Sequence, residues 1–257
     1  MEWRPKDEPA PAEALRARDG VVHLLGEPIA QRWTADAMEQ IRASRELGTR
    51  NLVAGLRAAE PRPRVLVSQS AVGYYGPLGD EPVDESAPPA GGDFLAEVVI
   101  AWEREAQAAE EIGVRVVRTR TGMVLSEHGG ALAKMLPPFK LGVGGPVAGG
   151  RQYVSWVHID DLVGAMLRAI DDESLSGPVN LTAPEPVTNR ELSRTLGRVL
   201  VRPALTPVPA FALRLLYGEM GAIVTTGQRA LPARLLAAGY EFRQPELEAA
   251  LRAAVKP

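Results

Sequence analysis

The stretch RVLVSQSAVGYYG, Arg64–Gly76, opens on the apolar run Val65-Leu66-Val67 and ends in Ser68, Ser70, Tyr74 and Tyr75. A run this short, β-branched and apolar on both faces is the pattern of a strand buried in a parallel sheet. In open α/β sheets ligands sit in the crevice outside the carboxyl ends of the strands, so these serines and tyrosines are the first candidates for a site. Taken alone, Ser70 reads better as a residue that caps or turns the chain after a core strand. The motifs around it reverse that reading.

At 257 residues the chain is long enough for a large core, in one domain or two. The net charge is −3, from 29 basic and 32 acidic residues mixed along the chain, so neither a nucleic-acid nor a membrane partner is expected. Of the basic residues only Lys6, Lys134, Lys140 and Lys256 are lysine. There are no cysteines, which excludes disulfides, thiolate metal sites and cysteine nucleophiles. His23, His128 and His158 are too widely spaced to predict a metal site. No apolar run approaches the ~20 residues of a membrane span, and MEWRPKDEPAPAEA has no signal-peptide core, so a cytoplasmic protein is expected.

Residues 1–18 read as a loop with one helical turn at Ala12–Arg16. An apolar strand, Val21–Leu25, follows and ends at Gly26, which by itself is a weak signal. Thr34–Ala59 is the first strong helix: Thr34 is its N-cap, Asp36 lies in the first turn, and Met38, Ile41, Leu52, Val53 and Leu56 share one side. Gly48 inside it costs ~1 kcal/mol against alanine, so close backbone packing explains it better than chance; a merely tolerated glycine is the alternative. After a turn-rich loop, Pro77–Gly92, a second helix runs from its N-cap Asp93 to about Ile112, with Leu95, Val98, Val99, Trp102 and Ala106 as its apolar stripe. Val114–Arg118 is the next strand. Gly145-x-x-x-x-Gly150 has the spacing of a phosphate loop, but Arg151-Gln152 replace the lysine and hydroxyl, Pro146 lacks a donor and no strand precedes it. A flexible substrate-side loop, Gly142–Gly150, is expected instead. Asp160 and Asp161 open a helix, where a favourable dipole is sufficient reason for them. His158 either reaches a substrate pocket or is held by a hydrogen bond, the commoner arrangement. Pro178–Thr182 is a short strand, and Thr188-Asn189-Arg190-Glu191 is a capping box starting a helix to about Leu200.

Together these segments resemble the NAD-dependent epimerase/dehydratase superfamily, the extended short-chain dehydrogenases, and within it a cell-division-inhibitor-like subgroup with a small helical C-terminal domain. The likeness rests on SAVGYYG at Ser70–Gly76, GGALAKMLPPF at Gly129–Phe139, the strand ending at Gly26, Gly48-Thr49-Arg50-Asn51, Arg120-Thr121-Gly122, Val157-His158-Ile159-Asp160-Asp161, and the run from Pro207 to Arg252. It implies an α/β fold: an N-terminally truncated, Rossmann-like, doubly wound parallel sheet (1–125 with 155–182) and a smaller substrate-side and helical unit (126–154 with 183–257). It implies NADP(H) or NAD(H) as cofactor, with Leu25, Gly26, Asn51, Ser68, Arg120, Thr121 and Gly122 beside it. By the same resemblance Ser70 would orient a carbonyl or hydroxyl, Tyr74 or Tyr75 would give the proton, and His158 and Arg151 would face a small-molecule substrate. Glu97 is either a base or a solvent-facing residue.

Two departures from the family pattern matter. The helix after Asp93 should carry Y-x-x-x-K, yet Phe94–Val99 holds neither residue, and none of the five tyrosines is followed four residues later by lysine. A tyrosine without a neighbouring cation titrates near ~10, too high for ready proton release at neutral pH. A non-catalytic nucleotide-sensing or regulatory protein on the same fold is therefore the competing reading. The second departure is that no G-x-x-G-x-x-G turn follows a strand, so the family's first βαβ unit is expected to be absent, whether in the protein or through a misplaced start codon. Val21–Leu25 would then be a bare apolar edge, and homodimerisation through it is expected.

Overall fold

Four parallel strands form the central sheet, ordered as they occur in the chain: β1 (Gly20–His23), β2 (Val65–Ala71), β3 (Arg115–Thr121) and β4 (Gly177–Leu181). The structure, a computed structural model, describes residues 2–255, without the side chains of residues 216, 217 and 222. Lys256 and the ring of Tyr217, one of the five tyrosines counted above, lie outside the described residues. Along β2 the side chains alternate between two layers, as the strand period requires. Leu66 packs in a cluster with Leu52, Leu56, Ala106 and Val116, whereas Val65 and Val67 pack with Val117, Ala165, Met166 and Val179. The first layer is built by α1 (Ala35–Ala58) and α2 (Phe94–Gln107). A third cluster, around Trp156, gathers α3 (Gly130–Lys140), α5 (Asn189–Leu200) and α6 (Leu247–Ala254), while α4 (Ile159–Asp171) covers the second face of the sheet. This is an α/β, Rossmann-like arrangement with a parallel sheet between helical layers.

The caps read from the sequence are in place. Thr34 Oγ1 accepts from the Ala37 amide, Asp93 Oδ1 from Ala96 and Thr188 Oγ1 from Glu191. α2 ends at Gln107, short of Ile112, because the chain tightens there into a 3₁₀ turn at Glu110–Ile112. A Cβ on Gly48 would fall 2.5 Å from Leu25 Cδ2, so close packing, and not tolerance, accounts for this mid-helix glycine. β1 stops at His23, earlier than Leu25, and Leu25 packs against Gly48 of α1.

The Gly142–Gly150 segment differs from the flexible loop expected. The Thr206 amide donates to Gly144 O, Val208 to Pro146 O, and the Val147 amide to Asn189 Oδ1. A Cβ on Gly145 would lie 2.1 Å from Thr206 O, so the glycine permits two backbones to lie side by side and the loop is pinned. Asp161 also does more than favour a dipole. It is buried, and its two carboxylate oxygens accept from the amides of Arg243 and Gln244, fixing the C-terminal segment to α4.

The two outer strands are treated differently. Beyond β4, Asn180 Nδ2 donates to Leu231 O and Thr182 Oγ1 to Ala230 O, so the 229–234 segment covers that side. β1 pairs only with β2 among the described residues, and Val22 is 41% exposed. An apolar strand open on one side is a template for pairing.

Candidate functional site at the carboxyl ends of β2 and β3

β2 runs directly into a 3₁₀ turn, Val72–Tyr75, which places both tyrosines at the carboxyl end of the sheet. Because β2 and β3 pair in register through Ser70 opposite Arg120, a guanidinium is brought beside them. Arg120 binds Glu103 of α2 in bidentate fashion, Nε to Oε1 at 2.8 Å and Nη2 to Oε2 at 2.9 Å. Ser70 Oγ donates to the same carboxylate at 2.6 Å. The third Arg120 nitrogen donates to the Tyr75 hydroxyl at 3.0 Å, and Tyr75 in turn donates to Asn180 Oδ1 at 2.7 Å. The Asn180 backbone N–H donates to Glu85 Oε1 at 2.9 Å. Ser70, Glu103, Arg120, Tyr75, Asn180 and Glu85 thus form one continuous buried chain of polar groups crossing from β2 to β4.

Tyr74 is the half-buried member of the pair. Its ring lies under the Arg120 guanidinium at 3.4 Å and meets Tyr75 edge-on. A cation over an aromatic face is attracted by the ring quadrupole, the more so where water is excluded. Burial pulls the Arg120 guanidinium down, but the hydrogen bonds and charge of Glu103 outweigh it and hold Arg120 above its ordinary range. Tyr75 is pushed up to about 12, chiefly by burial, with Arg120 offsetting only part of the cost. The cation that the sequence lacked four residues after a tyrosine is therefore present in space, delivered from the neighbouring strand.

The structure joins Ser70, Tyr74, Tyr75 and Arg120 in one network, and the other candidates stand outside it. Glu97 is exposed and pairs with Arg42 at 3.4 Å. His158 is the N-cap of α4: its Nδ1 accepts from the Asp160 amide, and its buried Nε2 has no hydrogen-bond partner among the described residues. Arg151 is exposed. Asn51 uses its side-chain amide on Pro5 O at 2.8 Å, tying down the N-terminal segment. Ser68 is buried with an unpartnered hydroxyl, and Thr121 Oγ1 donates to Thr119 O. Gly122 allows close approach of Ser155, whose carbonyl oxygen would be 2.4 Å from a Cβ. Leu25 is half-buried against Gly48 and Gly26 is exposed. Sequence reading missed Glu103, Asn180 and Glu85. Glu103 carried a signal, a carboxylate beside Trp102 and four residues after Val99 on the apolar face of α2. Glu85 lies in a turn-rich loop and carried none.

The sequence profile of the NAD dependent epimerase/dehydratase family matches residues 6–181. The chain belongs to that family. Its residues 208–254 match a domain of unknown function, DUF1731. Among family relatives, the chloroplastic SDR39U1 homolog of Arabidopsis thaliana is 44% identical over 241 residues, 93% of this chain and 69% of the relative. The epimerase family protein Mb2239 of Mycobacterium bovis is 41% identical over 98% of this chain and 83% of its own length. Among solved structures, human epimerase family protein SDR39U1 with NADPH superposes with a TM-score of 0.88 at 35% identity, covering 93% of this chain and 82% of that one. A nucleoside-diphosphate sugar epimerase from Corynebacterium glutamicum gives 0.77 at 35% identity, covering 99% of this chain and 49% of that one.

Family membership raises the question of whether these residues fit a dinucleotide. A diphosphate sits on bare amides at a helix N-terminus, commonly after a glycine-rich turn. Here α1, α2 and α4 are capped by their own side chains, Thr34, Asp93 and His158. Their first turns carry Asp36, Glu97, and Asp160 with Asp161. A diphosphate would meet carboxylates at each of these three, whereas α3 opens at Gly129 with neither a side-chain cap nor an acidic residue in its first turn. What this family member does present is the Tyr74–Arg120 pair at the end of the sheet. No helix among the described residues is long and apolar enough to cross a membrane.

Proposed function

We propose that the chain is an NAD(P)(H)-dependent oxidoreductase or epimerase-like protein in which Tyr74 is the proton-transferring hydroxyl and Arg120 its positioning cation. The observation that carries this reading is the guanidinium 3.4 Å over the Tyr74 ring, at the sheet end where ligands of this fold bind. Glu103 holds Arg120 from behind through two hydrogen bonds, so the cation is fixed before any substrate arrives. Ser70 and Tyr75 act through this frame: Ser70 orients the Glu103 carboxylate, and Tyr75 braces Arg120 against Asn180. A non-catalytic nucleotide-sensing protein is the second reading, favoured by the burial of both those hydroxyls within the protein. Fluorescence titration with NADPH and NADH, run on this chain and on the M. bovis relative side by side, tests the cofactor. Binding by both supports the proposal in full. Binding by this chain is the expected result, and binding by the relative alone would overturn cofactor dependence here. Failure of both would remove the nucleotide from either reading.

We also infer self-association through the open edge of β1. The expected sedimentation-velocity profile contains dimers or larger species, which Val22→Lys disperses by placing a charge on that edge. A monodisperse wild-type monomer would overturn it.

A further inference from the structure

The even mixture of charge in the whole chain hides a local asymmetry. Between Glu127 and Asp160, and again between Glu191 and Glu219, there is no aspartate or glutamate. The two acid-free segments lie against each other: Arg202 Nε donates to Lys140 O at 3.0 Å, a Cβ on Gly142 would be 3.5 Å from Pro203, and Thr206 N donates to Gly144 O. On α5, Arg194 and Arg198 are four residues apart and share one side of the helix, and Arg202 joins them from the chain just past the Val201 cap. They line a groove of about 570 Å³ together with Gly197, Pro203 and Leu205. Arg198 is partly neutralised by Glu248 at 3.2 Å, while Arg202 bonds only to carbonyl oxygens among the described residues.

Leu141, Val201 and Leu205 stand among these cations and are 78%, 80% and 82% exposed. Val201 is the more telling of the three. It caps α5 in the left-handed region, φ 53° and ψ 47°, a conformation that glycine adopts freely and a β-branched residue adopts only under strain. The chain therefore holds an aliphatic side chain out in solvent at a position where its backbone disfavours one. Strain kept at an exposed position points to a use for the side chain.

We propose that this face docks on an anionic lipid surface, with Leu141, Val201 and Leu205 entering the headgroup boundary and Arg194, Arg198, Arg202 and Lys140 meeting the lipid phosphates. Aliphatic tips bordered by Arg and Lys are the composition of interfacial membrane binding. The residues 140–143 and 194–205 contain no aromatic residue, so the apolar part of this face is aliphatic throughout. Arginine suits the task because its stem lies along apolar material while the guanidinium stays with phosphate. The binding is peripheral and independent of the proposed cofactor.

The test is co-sedimentation of the full chain with phosphatidylcholine vesicles, with and without phosphatidylglycerol. Binding is expected only with the anionic lipid and should weaken as salt is raised. Arg194→Gln and Arg202→Gln should each lower the partition coefficient about fivefold, the effect of one cation near such a surface. Leu205→Ser should lower it several-fold at unchanged charge. Val201→Gly separates docking from folding: relief of the left-handed valine should raise the melting temperature by about 2–4 °C while vesicle binding falls. Absence of binding to anionic vesicles, equal binding to neutral ones, or indifference to Leu205→Ser and Val201→Gly would each overturn the proposal. So would a dimer in sedimentation velocity that Leu205→Ser abolishes and Val22→Lys does not, since the face would then be covered by a second copy.

Discussion

Glu103→Ala should destabilise the protein by about 3–5 kcal/mol, the cost of removing one partner of a buried ion pair and leaving the other charged. Both partners are 3% exposed, so solvent cannot replace the lost carboxylate. Arg118, 3.4 Å from the same carboxylate, loses its ion-pair partner as well and keeps, among the described residues, only the hydrogen bond to Gln107 Oε1. Ser70→Ala removes a single hydrogen bond to that carboxylate and should cost less, about 1–3 kcal/mol. Urea denaturation followed by circular dichroism measures both. A double variant, Glu103→Leu with Arg120→Met, should recover most of the loss, because apolar groups of similar volume leave no orphaned charge. If Glu103→Ala costs under about 1 kcal/mol, the network is not the frame of the site. The double variant should still lose whatever role Tyr74 has, since the cation over its ring is gone, and that separates stability from function at this site.

His23 should make the protein lose on the order of 3 kcal/mol between about pH 6.5 and about pH 4. Its ring is buried in β1, its Nε2 lies 2.8 Å from Thr49 Oγ1, and burial lowers its pKa from 6.5 to about 4. In the unfolded chain the imidazole takes up a proton as pH falls through 6.5, whereas the folded protein resists until about 4. The stability this residue contributes is therefore complete above the unfolded value and lost progressively as pH falls toward the folded one. Denaturation midpoints at several pH values across that window test it. His23→Gln retains a polar contact with Thr49 and cannot titrate, so its acid branch should be flatter than that of the wild type by the same amount. A wild-type and variant pair with parallel pH profiles would sink this account.

Local patterns in the chain determined the elements and their order. The β-branched run at Val65–Val67, the caps Thr34, Asp93 and Thr188, and the 3.6-residue stripes of α1 and α2 depend on neighbours a few residues away, and so they could be read directly. The serine and tyrosines at the end of β2 were legible for the same reason: they follow the strand in sequence as they do in space. What sequence could not decide was which side chains meet across strands. Arg120 stands forty-five residues from Tyr75 and Asn180 stands 105 residues from it, and only the parallel register of β2, β3 and β4 joins them. That register converts a search for lysine four residues after tyrosine into an arginine from the adjacent strand. It also consigns Ser70 and Tyr75 to the interior and leaves Tyr74 accessible. Periodicity is a property of one segment, whereas the site is a property of contacts between segments, and those exist only once the chain has folded.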